Sequence, residues 1–481
     1  MLIKPTKKDV IWNYIGIIVS MTSNFFLLPF MMHLIDAEHL GLWYVYLSIG
    51  GVVTLFDFGF NPTLSRSVAY IWSGAEKLLP EGLGICNRKE PNYQLLAKVL
   101  QACKMIYLLI SSLALLMLLT LGTLHILQIS EKIKDSFLVV SWLTYALAVF
   151  LNLYYGYFAT LLRGVGAVYE CNRIAVFAKI AQIVTSIMLM YCGLGIMAVS
   201  FAYLLYGFFV RILSKRAFYN YKNIGERLQK KVIFNFSQIK ELFFIIWHNA
   251  WRDGLVSLAN YCASQASTLI ASNYFSLKET GIYSISVQLI NAIVTITGAL
   301  YIAYQPAMQS AYAHNDLKEA KRLMAVAMVT YTSLFWLGVL LLETIGISLL
   351  TLVRSDFKYD RWIIMGIALY VFVYRRQSYY ASFISNTNRV PYVKAYVFSG
   401  TIGVVLAVIF IKFFNMGLWG LILGQFIVQI AYNCWKWPSI VYRMLKTSFI
   451  DILQIGIIDL KKNFKLIFIK SQVHRTLRMG N

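Results

Sequence analysis

The chain has 481 residues, 59% of them apolar, with a formal charge of +23 and a mean hydropathy of +0.64. That hydropathy excludes an ordinary soluble domain and points to a polytopic membrane protein. The basic excess gathers around apolar runs, the pattern of membrane topology rather than of a nucleic-acid surface.

About 20 apolar residues are needed to cross the hydrocarbon core. Twelve stretches reach that length, at 10–33, 41–71, 104–128, 136–163, 173–192, 196–218, 242–273, 281–306, 323–353, 361–386, 392–413 and 417–442. The expectation is an all-α bundle of twelve transmembrane helices with both termini in the cytoplasm. Only Lys132, Lys134, Lys278, Arg354, Lys358, Arg361 and Lys412 then fall on outer segments, as the positive-inside rule requires.

The first stretch is too long for a secretory signal and lacks a small-residue cleavage site. It carries Asn13, Asn24 and Pro29, and Pro29 is expected to kink it. The second contains LFDFGFNPTLSR at 55–66. A charge near the midplane costs about 2.5–3.5 kcal/mol on insertion scales, so Asp57 is expected to face water or the bundle interior. It is read as a coupling or gating acid, against the plainer reading of an acid satisfied by a neighbouring helix. Pro62 is expected to break the helix and to reorient Arg66, which would point away on a straight one.

Spans 3 and 4 are strongly apolar. The basic stretch that follows span 6 divides the chain. We place a six-helix lobe at 1–214, a cytoplasmic linker at 215–241, a second six-helix lobe at 242–442 and a basic tail at 443–481. The halves look like parallel repeats related by an axis along the membrane normal. Asn172-Arg173 and Asn388-Arg389 open spans 5 and 11, and Gly193-Leu194 and Gly417-Leu418 mark the turns that end them. Span 2 begins Gly41-Leu42-Trp43-Tyr44 and span 8 begins Gly281-Ile282-Tyr283-Ser284. Pro62 and Pro306 fall near their inner ends, so Pro306 is a third hinge candidate after Pro62 and Pro29.

Span 7 carries Arg252 and Asp253 beside His248, Asn249, Asn260 and Gln265. Arg252 is read as an anion contact with Asp253 as its local counter-charge, and an internal salt bridge is nearly as good a reading. Glu343 in span 9 is a third coupling candidate. Arg375-Arg376 in span 10 is the strongest single signal. Two adjacent arginines cannot share one narrow face, neither can shed its charge, and acids are scarce at this depth. A water-filled cavity that receives an anion explains them economically. The tail's apolar part, 449–460, is too short to span and is expected at the inner interface.

No nucleophile, metal cluster or acid pair is placed for catalysis, so an enzyme is not expected. Gly193-Leu194-Gly195-Ile196-Met197-Ala198 matches a dinucleotide pattern but lies between two spans, without a βαβ unit.

Trp12-Asn13-Tyr14, Gly41-Leu42-Trp43-Tyr44, DFGFNPTLSR at 57–66 and Gly281-Ile282-Tyr283-Ser284 together resemble the polysaccharide flippases of the multidrug/oligosaccharidyl-lipid/polysaccharide exporter superfamily. The resemblance implies two lobes around a cationic cavity, an ion gradient (protons or sodium) as driving force, and no cofactor. It implies a location in the bacterial inner membrane. The cargo would be an undecaprenyl-pyrophosphate-linked oligosaccharide, moved to the outer leaflet for O-antigen or capsule synthesis. Arg66, Arg252, Arg375 and Arg376 would contact the pyrophosphate. Membrane lipids, glycosyltransferases and a polymerase would be partners, and nucleic acid would not. The alternatives are a cation-coupled drug or metabolite antiporter of the same superfamily and, further off, a membrane polysaccharide polymerase.

Overall fold

The structure, a computed structural model, describes residues 6–35, 37–82, 90–130, 135, 137–228, 236–275, 277–348 and 360–462. It is all-helical, and no strand occurs among these residues. In hydrocarbon every backbone N–H and C=O must be satisfied within the segment, and helices achieve this.

In each of the twelve expected spans the described residues form one helix or a helix interrupted once. Span 1 is α1 (Lys7–Leu34). Span 2 is α2 (Ala37–Val53), a 3-10 turn at Thr54–Asp57, and α3 (Phe60–Trp72). Span 3 joins α4 (Tyr93–Met117) to α5 (Thr123–Ile129) through a π turn at Leu118–Gly122. Span 4 is α6 (Leu138–Tyr155) with α7 (Tyr157–Gly164), and spans 5 and 6 are α8 (Val168–Tyr191) and α9 (Gly195–Asn220). A short α10 (Ile224–Leu228) precedes α11 (Phe236–Tyr274), which is span 7. Span 8 is α12 (Leu277–Thr297) and α13 (Ala299–Ala313), with a bend of 43° between them. Span 9 is α14 (Leu317–Leu341), extended by a π turn at Leu342–Gly346. Span 10 is α15 (Arg361–Ile384) and span 11 is α16 (Val393–Lys412). Span 12 joins α17 (Leu418–Val428) to α18 (Cys434–Met444) through a third π turn.

Among the described residues, seven helical runs are each long and apolar enough to cross a membrane, and the bent α12–α13 pair makes an eighth. The polar α11 and α15 are not among them. The chain is a polytopic membrane protein.

Two compact units form, one of residues up to Leu258 with Asn388–Val393, the other of Ala259–Thr387 with residues from Lys394 onward. The division falls inside α11 rather than in the basic stretch before it. Within that stretch α9 runs on to Asn220, and 229–235 lie outside the described residues.

The repeat is visible in local structure. Asn92 caps α4 by accepting from Leu95 N, and Asp316 caps α14 by accepting from Glu319 N, an offset of 224 residues. The π turns at Leu118–Gly122 and Leu342–Gly346 share that offset. Asn172 donates to Asn13 Oδ1 at 3.1 Å, and Asn249 donates to Asn388 Oδ1 at 3.1 Å. Each Asn-Arg motif therefore ties the opening of a fifth helix to the first helix of its own repeat. Polar residues inside spans are satisfied this way by hydrogen bonds between helices.

The tail is more than interfacial. Residues 449–462 form a helix whose Ile452 is buried, and Gly456 packs directly on Val329 and the Ala325 backbone of α14. Arg322 clamps it through Asp459 at 2.9 Å. Ile450 and Ile458 on its other side stay exposed, which suits contact with lipid.

Candidate functional site

The first unit holds a polar site built on the break in span 2. Phe58 (φ 35°) and Gly59 (φ 78°) are both left-handed, and this reversal ends the 3-10 turn. The expected break at Pro62 is corrected. Pro62 lies in the first turn of α3, where its missing N–H has no helical partner to lose. Asn61 N donates to Asp57 Oδ2 at 3.3 Å, and the Tyr107 hydroxyl donates to Asp57 Oδ1 at 2.7 Å. Asp57 thus anchors the start of α3 to α4. Asn61 Oδ1 in turn accepts from Thr160 at 2.8 Å.

One turn further on, Arg66 is 2% exposed and donates to Asp253 Oδ2 at 2.6 Å. Thr63 donates to the same oxygen at 2.8 Å. The Arg66 Nε is buried without a partner. The pair is possible because α3 and α11 approach at two glycines. A Cβ on Gly59 would sit 2.2 Å from the Ala250 carbonyl oxygen, and one on Gly254 would sit 2.8 Å from the Phe58 ring.

Arg252 does not pair with Asp253. Consecutive helical residues point about 100° apart, so the two turn to different neighbours. Arg252 bonds Glu81 Oε1 at 3.0 Å, in the connection that follows α3, and His248 reaches the same oxygen at 3.1 Å. Arg389 lies 3.6 Å from Glu81 Oε2. Asn249 donates to the Pro80 carbonyl at 2.7 Å, and Asn388 donates to the Leu79 carbonyl at 2.6 Å. The connection is clamped onto α11 and the 388–393 segment.

His248 first, then Arg252, hold the Glu81 carboxyl below its usual range. A depressed folded-state pKa stabilises the clamp above the ordinary glutamate range, and that contribution is lost as pH falls through the lowered value. Protection of the 73–82 amides, taken relative to their intrinsic exchange rates, is therefore expected to fall only at pH below that range in the wild type. In Glu81→Gln it should be lowered already at neutral pH. Equal protection in the two proteins at neutral pH would show that the ion cluster does not hold the loop.

The second unit holds a different site. Ser267, Tyr283, Asn291, Tyr370, Tyr374 and Arg375 line a cavity of about 30 Å³, room for little more than a water. Tyr374 donates to Asn260, and the Arg375 guanidinium lies 5.9 Å from the Tyr374 ring centre. The Arg375 Nε is buried without a partner. Arg376 faces elsewhere, over the rings of Tyr380 at 5.7 Å and Phe449 of the tail helix at 5.3 Å. Among the described residues neither arginine forms an ion pair with a carboxylate.

Arg66 and Arg252 are answered by Asp253 and Glu81, while Arg375 and Arg376 meet no acid among the described residues and turn to different sides. Glu343 lies in the π turn after α14 with Oε1 buried and unpartnered. Pro306 is inside α13, and the bend of span 8 lies upstream at Gly298, where a Cβ would meet the Tyr379 hydroxyl at 2.0 Å. Pro29 is within α1, and its side chain lies outside the described residues. Sequence reasoning missed the roles of Gly59, Gly254 and Glu81, and named Asn249 only as a polar neighbour in span 7. The left-handed Gly59 had a signal in the Gly-Phe-Asn-Pro run, since helices often start with a proline in the first turn.

No protein-family model and no curated protein matches this sequence. Solved structures do match. An outward-facing multidrug-resistance MATE family transporter of the MOP superfamily superposes with a TM-score of 0.65 at 13% identity, over 92% of this chain and 99% of that one. A MATE in the bent conformation gives 0.67 at 13% identity over 92% and 99%. A MOP superfamily transporter from Pyrococcus furiosus, described by the reverse polarity of its binding pocket, gives 0.60 at 13% identity over 93% and 98%. At this identity the likeness is one of fold: the chain has the two-lobed, twelve-helix fold of MATE transporters.

Proposed function

We propose that this protein is an alternating-access transporter whose cargo is an anionic amphipath, most specifically a lipid-linked oligosaccharide carried on a pyrophosphate. One observation carries this reading. Arg375 and Arg376 lie mid-helix in α15 and meet no carboxylate among the described residues. Arginine keeps its charge at any accessible pH, and an unanswered charge at membrane depth is costly. A visiting phosphate or pyrophosphate would answer it, with guanidinium forks matched to its oxygens. In the Pyrococcus furiosus transporter a binding pocket of reversed polarity suggests a different function, which supports reading cargo from pocket charge rather than from fold.

On this reading the Arg66–Asp253 pair and the Glu81 clamp are locks that form in one state of the cycle and open in the other. Asp57, Asp253 and Glu343 are the acids through which a proton or sodium gradient would act. The location would be a bacterial inner membrane.

The solved multidrug-resistance transporters favour a second reading, a cation-coupled drug or metabolite antiporter. Its cargo would be cationic, and the two arginines would then have a structural role. Reconstitution separates the two. Protein in liposomes with a fluorescent lipid-linked oligosaccharide should move the sugar out of reach of an impermeant quencher. Arg375→Gln with Arg376→Gln should slow this about tenfold per lost charged hydrogen bond. Undiminished flipping by the double variant would remove the arginines from the cargo site. Efflux of a cationic dye with no flipping would establish the antiporter instead.

A further inference from the structure

A wide apolar cavity in the first unit belongs to neither polar site. It is a groove of about 940 Å³ between the end of span 2, α4 and the start of α11, within the first unit. Phe60, Ala102 and Ile106 form its buried floor. Phe58, Phe243 and Trp247 form an aromatic wall, with the Phe243 and Trp247 rings stacked at 6.0 Å and 11°. Its rim is open: Met105 is 41% exposed, Leu109 63% and Phe244 54%.

Three features identify what fits. The lining on α4 runs from Ala102 to Leu113, about 16 Å of helix rise. That is about half of the ~30 Å hydrocarbon core, hence one leaflet. Ala102 lies at the inner edge of the span at 104–128, so the leaflet is the one that the charge distribution assigns to the cytoplasm. Finally, Lys240 is the one charged residue among the described lining residues, and it lies about two turns before Trp247 on α11. Among the described residues Lys240 has no carboxylate partner.

We infer that this groove binds one acyl chain of an anionic phospholipid of the inner leaflet, with the lipid phosphate against Lys240. Burial of the chain's methylenes and attraction of an anionic head to a basic residue at the surface both favour this occupant. The lipid would bridge α4 and the first turns of α11, next to the left-handed Phe58–Gly59 break. It would act as a bilayer ligand rather than as cargo.

The test uses the full chain in nanodiscs of equal phosphatidylcholine and phosphatidylglycerol, followed by native mass spectrometry of the lipid retained on extraction. Wild type is expected to retain phosphatidylglycerol in preference. Lys240→Gln should lower that preference about fivefold, the equivalent of about 1 kcal/mol. Lys240→Arg should keep it. Leu109→Trp, which fills the groove from its exposed rim, should abolish retention while leaving the thermal midpoint of the delipidated protein in place. Should that variant misfold, the exposed Lys240 substitutions decide the matter alone. Equal retention of both lipids by the wild type overturns the proposal. So does displacement of the phospholipid by an equimolar polyprenyl phosphate, which would make the groove a cargo-tail site.

Discussion

Asp253→Ala is expected to destabilise the protein by about 3–5 kcal/mol, because it strands Arg66 as an uncompensated charge. Arg66 is 2% exposed, and its side chain leans on one carboxylate oxygen and on Thr63. The guanidinium is already short of one partner at Nε. Water cannot take over the role of Asp253 where Val68, Leu64 and Phe60 are buried around the same turns of α3. Removing both charges is a different matter. A buried ion pair replaced by apolar residues of similar volume is often neutral or stabilising. Arg66→Met with Asp253→Leu should therefore recover most of the loss. Thermal unfolding in detergent of the two single variants and the double, read as a double-mutant cycle, measures the coupling. A loss below about 0.5 kcal/mol for Asp253→Ala, the range of surface substitutions, would mean that water reaches the pair.

The same pair shows what could be read in the sequence. The spans were legible because apolar length is a property of the chain by itself, and the described residues of every stretch fall mainly on helices. So were the repeats, whose Asn-Arg motifs mark the Asn13–Asn172 and Asn249–Asn388 hydrogen bonds. The partners of the charged residues were not. Arg252 and Asp253 are neighbours in sequence, yet their partners are Glu81 and Arg66, each more than 170 residues away along the chain. Nothing local encodes that choice. Depth marked Asp57 as a costly acid, but depth does not say that a tyrosine on α4 bonds it. The arginines of α15 stood out for the opposite reason. Their cost is local, and no carboxylate among the described residues removes it.

Those charges meet their partners only if the backbone of span 2 turns at the right residue, and this gives the last expected result. Gly59→Ala should destabilise the protein by about 1–3 kcal/mol through backbone strain at φ 78° and by about 1–3 kcal/mol more through overpacking. The contact is severe because it is with backbone. The added methyl would stand 2.2 Å from the Ala250 carbonyl oxygen and 2.4 Å from the Gly254 nitrogen. No rotamer change relieves it, so α11 must move away from α3, and Asp253 moves with it. Gly51→Ala is the control. Gly51 lies within α2 with nothing inside 4 Å of its added Cβ. Helix propensity alone predicts a gain of about 0.5–1 kcal/mol there. Thermal unfolding should therefore shift in opposite directions for two glycines eight residues apart. Hydrogen exchange adds the mechanistic check: Gly59→Ala should raise exchange in α3 and in α11 around Asp253, and leave α8 and α9 unchanged. A Gly59→Ala protein as stable as wild type would mean that α3 and α11 already separate freely. The lock proposed for the transport cycle would then have no energy to release.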